Sequence, residues 1–98
     1  MCTRQECFDK LNAAAPHIRK EFGVTAMSVF GSMARGDNHP GSDVDVFVEM
    51  GSDAYKMLGL KSYLQGLLGT TVDLVTKHPL LGKFFLNEIR HDGIVIFS

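Results

Sequence analysis

Apolar positions recur along this chain in two rhythms: one every three to four residues, as in a helix, and one every second residue, as in a strand. The first rhythm runs Phe8, Leu11, Ala15, Ile18 and Phe22, which predicts a helix with a single buried stripe. Thr3-Arg4-Gln5-Glu6 at its start has the capping-box pattern, in which threonine and glutamate each satisfy a free backbone donor. Pro16 interrupts the stripe, so the helix either kinks there or restarts with proline at its first position. Gly23 is placed to end it. Val24 to Phe30 reads as a buried strand, and Ser32 to Gly36 as one or two helical turns. Asp37-Asn38-His39-Pro40-Gly41 is a loop by composition.

The second rhythm is clearest from Asp43 to Met50, where Val44, Val46 and Val48 alternate with Asp43, Asp45 and Phe47 and predict a second strand. Gly51-Ser52 breaks it, and Ser52 or Asp53 caps a helix running to about Leu68, with Met57, Leu60, Leu64 and Leu67 as its apolar face. Gly59 and Gly66 each weaken that helix by about 1 kcal/mol relative to alanine, and Gly69 ends it. Thr70 to Thr76 is the third strand. Pro79 opens a last helix with Leu81, Phe84, Phe85, Leu86 and Ile89 apolar, and Asp92-Gly93 turns it into a final strand, Ile94 to Phe97. Phe85 lies four residues after Leu81 and four before Ile89, on the core face; neighbouring Phe84 falls at the margin of that face or outside it.

The predicted order is α-β-α-β-α-β-α-β over 98 residues, one domain with one modest core. The fold class is α/β, or α+β with a small mixed sheet; the alternation alone equally allows a doubly wound sheet. Hydrophobic residues at 45% and charged residues at 21% are ordinary for a soluble domain. A formal net charge of −1 argues against general nucleic-acid binding, which calls for a basic excess or stripe. No apolar run reaches the length of a membrane span, and the first ten residues contain no signal-like apolar core, so cytoplasmic residence is the default expectation. Cys2 and Cys7 lie five apart with no second pair to complete a zinc site, and are read as two reduced thiols. His17, His39, His78 and His91 are scattered without ligand spacing.

Candidate chemistry is concentrated between residues 31 and 49. Gly31-Ser32 follows the apolar run 27–30, and a strand that turns at Gly-Ser presents backbone N–H groups and a hydroxyl to an anion. Arg35, one helical turn on, either supplies positive charge to a phosphate tail or pairs with Asp37. Asp43 and Asp45 share one face of their strand, roughly 7 Å apart along the chain. Two carboxylates with no base between them repel each other, a cost that a divalent cation removes. Glu49 shares that face but lies further along and reads as solvated; Met33 reads as packing.

The pattern formed by Gly31, Ser32, Ala34, Arg35 and Gly36, followed by five residues and then Ser42, Asp43 and Asp45, resembles the signature of the DNA polymerase β-like nucleotidyltransferase superfamily. The short chain is most similar to its minimal nucleotidyltransferase (MNT) group, known mainly as antitoxins paired with HEPN-domain toxins. The likeness runs from about Phe22 to Val75 and implies a third carboxylate on a later strand, a position that Asp73 fills. Gly41 stands where relatives often have an acid. The resemblance decides for the small mixed sheet. It implies catalytic and metal-binding roles for Asp43, Asp45 and Asp73, nucleotide-binding roles for Gly31, Ser32, Arg35 and Ser42, two Mg²⁺ ions, and ATP as substrate. It further implies transfer of AMP to a hydroxyl, with a tyrosine of a HEPN toxin as acceptor. Two alternatives stay open: an antitoxin that inhibits by binding alone, and the catalytic subunit of a two-component transferase acting on a small molecule. The presence of all three acids favours catalysis. A second copy of the chain is an additional candidate partner.

Overall fold

Thr3 opens the first helix as the pattern predicts: its Oγ1 accepts the Glu6 backbone N–H at 3.2 Å. The computed structural model describes residues 3–36, 43–51, 53–77 and 82–98. Helix α1 spans Arg4–Phe22 without a break, so Pro16 neither restarts nor divides it. An interior proline costs a helix about 3 kcal/mol. Ile18 is fully buried beyond it and Phe22 partly so, and burying each such side chain contributes about 1.5–3 kcal/mol. Packing therefore outweighs the lost hydrogen bond. The buried stripe is Cys7, Phe8, Leu11, Ala14 and Ile18, one residue earlier at alanine than the sequence pattern suggested. Gly23 closes the helix in the left-handed conformation, its N–H donating to the Arg19 carbonyl at 3.1 Å.

Strand β1 (Ala26–Phe30) leads through Gly31 into the single-turn helix α2 (Ser32–Arg35), and β2 covers Val44–Glu49. Asp53 caps α3 (Ala54–Leu68), accepting the Lys56 N–H at 3.1 Å. Leu60, Leu64 and Leu68 are its fully buried positions, whereas Met57 and Leu67 are half-buried. Strand β3 is Val72–Thr76, and α4 runs Lys83–Asp92 from an N-cap at Gly82 rather than from Pro79. Pro79 and Leu81 themselves lie outside the described residues. Strand β4 (Ile94–Phe97) closes the predicted order. All three longer strands are shorter than the apolar runs that predicted them. Thr25 and Lys77 still donate backbone hydrogen bonds to Glu49 and Val48, so β2's pairing outlasts the strands beside it.

The four strands form one mixed sheet in the order β3-β2-β1-β4. Strand β2 runs antiparallel to β1 and parallel to β3, with α3 as the crossover that a parallel pair requires. Met27, Val29, Val44, Val46, Val48 and Val72 point to one face, where α1 and α3 cover them and build the core. The opposite face carries Phe30, Asp45, Phe47 and Asp73 and, among the described residues, is covered by α4, where Phe85 packs edge-on against Phe30 at 5.6 Å. This thinly covered face is where the candidate chemistry stands.

Cys7 is disulfide-bonded, which corrects the expectation of a reduced thiol at this position. That expectation rested on the default of a reducing compartment and on the lack of a second cysteine pair, neither of which excludes a bond at Cys7. Cys2 lies outside the described residues. The reading of Glu49 as merely solvated is also amended: it forms an ion pair with Lys77 at 2.8 Å.

Phe84 is 78% exposed, beside half-buried Phe85. Replacing Phe85 by alanine should cost about 2 kcal/mol, roughly half the loss from a fully buried ring. At this chain length that lowers Tm by about 10 °C. Phe84→Ala should leave Tm within experimental scatter. Thermal melts of the two variants check both; equal losses would mean that Phe84 belongs to the core.

Candidate active site

Two turns of sequence bring the site together. Where β1 ends, Gly31 adopts φ 73° and ψ −151°, a region open in practice to glycine alone. A Cβ on Gly31 would also run into the Asp45 carboxylate oxygen Oδ2. Glycine is therefore required twice, for backbone conformation and for the close approach of the acid. The Arg35 N–H donates to the Gly31 carbonyl at 3.1 Å, and Gly36 closes the turn in the left-handed conformation with its N–H on the Ser32 carbonyl at 2.9 Å. Met33 and Ala34 are buried beneath this turn, as packing residues.

Strand pairing places the acids. Asp45 stands opposite Phe30 in β1 and opposite Asp73 in β3, so it occupies the middle of the group. Asp43 immediately precedes β2, two residues from Asp45 and therefore on the same side of an extended chain. The Val44 N–H, bonded to the Thr71 carbonyl at 3.0 Å, fixes this segment against the start of β3. Asp43 and Asp73 are exposed, and Asp45 is half-buried. Desolvation, followed by the charges of Asp73 and Asp43, holds the Asp45 carboxyl above its ordinary value of 3.8; the Arg35 charge lowers it in part. Asp45 is thus close enough to feel the other two acids, and Arg35 is close enough to act on it.

A cavity of about 450 Å³ opens beside Asp45, lined by Phe30, Gly31, Ser32, Arg35, Asp45, Phe85, Ile89 and Asp92. Four of the residues singled out from sequence, Gly31, Ser32, Arg35 and Asp45, line it directly. Asp73 and Asp43 do not line it: Asp73 is Asp45's cross-strand neighbour, and Asp43 immediately precedes β2. Ser42 and His39 lie outside the described residues. The sequence reading missed the wall opposite the acids: Phe85, Ile89 and Asp92 of α4, together with Phe30. Phe85 and Ile89 were assigned to the core face of α4, and Asp92 to a turn. Nothing in the helical spacing says that the core face borders a cavity.

The donor set is hard oxygen throughout, as Mg²⁺ prefers. Among the described residues no three potential ligands are gathered into a ready-made cage. Mg²⁺ is ordinarily held by one or two carboxylates and completed by substrate phosphates, so an open group of acids beside the Gly31-Ser32 turn fits the ion. The charge of the neighbouring acids felt by Asp45, only partly offset by Arg35, points the same way.

Residues 11–96 match the family model of the nucleotidyltransferase domain. The chain belongs to this nucleotidyltransferase family. The curated relatives include the protein adenylyltransferase MntA of Thermococcus cleftensis, 38% identical over 94 residues that cover 91% of this chain and 95% of that protein. Among solved structures, one provisionally named a minimal nucleotidyltransferase is 29% identical, with a TM-score of 0.72 over 85% of this chain and 86% of that one. A chain from the complex of a tri-AMPylated Shewanella oneidensis HEPN toxin with an MNT antitoxin shares the fold at 17% identity. Its TM-score is 0.67 over 98% of this chain and 73% of that one. The mixed four-stranded sheet and its four helices are therefore the nucleotidyltransferase architecture, and the chain is an enzyme of that class. No helix of this nucleotidyltransferase, among the described residues, is long and apolar enough to cross a membrane.

Proposed function

We propose that this nucleotidyltransferase is a protein adenylyltransferase of the antitoxin type, moving AMP from ATP to a tyrosine hydroxyl of a partner HEPN toxin. The observation that carries the reading is the register Asp45↔Asp73, which sets two acids side by side next to the Gly31-Ser32 turn, with Asp43 immediately ahead of Asp45's strand. The name of the Thermococcus cleftensis relative and the AMPylated toxin in the Shewanella oneidensis complex support the acceptor class.

Asp43, Asp45 and Asp73 would hold Mg²⁺, two ions, together with triphosphate oxygens. Bound there, the metal would supply Lewis-acid chemistry, making the acceptor hydroxyl more acidic and offsetting charge on the departing pyrophosphate. The chain's own residues do the rest. The backbone of the Gly31-Ser32 turn and the Ser32 hydroxyl hold the β- and γ-phosphates, leaving the α-phosphorus beside the acids for in-line attack. Ser42, which lies outside the described residues, is assigned to the nucleotide by the sequence motif alone. Arg35 contributes positive charge at the phosphate tail. Asp73 accepts the proton of the attacking hydroxyl. The acceptor oxygen bonds to the α-phosphorus as the bond to the bridging β-phosphate oxygen breaks, and pyrophosphate leaves.

The decisive measurement is the intact mass of the HEPN partner after co-expression. Partner co-expressed with the wild-type chain should gain discrete AMP increments, and peptide mapping should place them on tyrosine. Partner bound tightly at unmodified mass would leave an antitoxin that works by binding alone.

A further inference from the structure

Helix α2 is a single turn, too short to hold its own orientation through internal hydrogen bonds, and its last carbonyls have no partner within the helix. The first residue of α1 supplies one. Arg4 lies 29 residues away in sequence, yet its Nε–H donates to the Met33 carbonyl at 2.7 Å and its Nη2–H to the Ala34 carbonyl at 3.1 Å. The same guanidinium lies over the Phe8 ring, 5.0 Å from its centroid, so its plane is fixed from below. A charged, two-pronged donor of this kind forms stronger and more directional bonds than a neutral one. Its charge also suits the carbonyl end of a helical turn. Met33 and Ala34 are buried, so leaving their carbonyls unpaired would be costly. The other side of the turn is Gly31 and Ser32, facing the catalytic cavity.

We infer that Arg4 is a positioning residue for the nucleotide: it clamps the back of α2 so that the Gly31-Ser32 turn is held at a fixed orientation to Asp45. This rests on the reading that the turn holds the triphosphate. Arg4 does not line the cavity and touches no reacting group. Its effect is on how well the turn is preorganised. The contacts made to the β- and γ-phosphates lie away from the reacting phosphorus and persist from bound substrate to transition state. Their loss therefore raises KM for ATP more than it lowers kcat.

The test is titration of Mg-ATP into the wild-type chain, Arg4→Met and Arg4→Lys, alongside transfer kinetics with the HEPN partner and thermal melts. Arg4→Met should weaken Mg-ATP binding about tenfold while kcat at saturating ATP stays within about threefold and KM for the acceptor is unchanged. Arg4→Lys keeps the charge and one donor, and should restore part of the affinity. It also decides the question alone if Arg4→Met fails to fold. Unchanged Mg-ATP affinity in both variants, with a normal wild type, overturns the inference and leaves the site reading intact. Equal losses in ATP affinity, acceptor KM and kcat would show general loosening and overturn it too. A wild type that neither binds Mg-ATP nor transfers AMP would sink the phosphate-turn reading itself, and this inference with it.

Discussion

Asp45→Asn should cut AMP transfer by orders of magnitude and at the same time make the metal-free protein more stable at neutral pH. The two effects have one cause. Asp45 sits between Asp73 and the Gly31 backbone, and desolvation together with the neighbouring acids raises its carboxyl above the ordinary 3.8. A carboxyl whose pKa is raised by folding binds its proton more tightly in the folded state than in the unfolded one. Stability then falls as pH rises through the window that starts near 3.8, and at neutral pH the folded state bears the full cost of the ionised group. Asparagine keeps the shape and removes the charge. Melts in chelator should show Asp45→Asn above wild type at neutral pH, the gap narrowing as pH falls and closing below 3.8. Mg-ATP should reverse the order, because ligand binding raises Tm only in the protein that binds it. Transfer should drop by about two to three orders of magnitude or more, the scale of losing one electrostatic stabiliser. A variant equal to wild type in Mg-ATP affinity, or less stable than wild type in chelator at neutral pH, would remove Asp45 from the centre of the site.

Much of this arrangement was legible in the sequence because it depends on local rules. Thr3, Asp53, Gly23 and Gly69 marked helix ends through the conformations and donors that their chemistry supplies. The alternation 44-46-48 told which face of β2 is buried, and so where Asp45 points. The Gly31-Ser32 and Asp43-Asp45 devices lie within a span short enough for spacing to carry meaning. What escaped were relations between distant segments. Alternation put Asp73 on one face of its strand, but only the parallel register of β2 and β3 makes it Asp45's neighbour. Arg4 was read as the interior of a capping box, whereas its guanidinium serves a turn 29 residues away in sequence. Phe30 and Phe85 looked like ordinary core residues until the fold showed α4 thinly covering the reactive face. Pro16 looked like a break until burial on both sides of it was counted.

Asp73→Asn should separate binding from chemistry. Strand β3 is an edge of the sheet, so Asp73 is the acid on the open side, whereas Asp45 is enclosed between β1 and β3. The Gly31-Ser32 turn lies across β2 from Asp73, so a triphosphate held there occupies the enclosed side. On the proposed reading an acceptor hydroxyl approaches from the β3 edge. Asp73 is exposed to that approach and is the acid best placed to take its proton. Removing its charge should leave Mg-ATP affinity within about threefold, since the turn and the other two acids are untouched. Product formation should fall by about two to four orders of magnitude, the range associated with losing a positioned acid–base group. Tm in chelator should hold or rise slightly, because one charge repelling Asp45 is gone. Single-turnover transfer at saturating Mg-ATP gives the rate, and titration gives the affinity. A wild-type rate would make Asp73 an incidental edge residue; a loss of affinity as large as that in Asp45→Asn would place it on the nucleotide side instead.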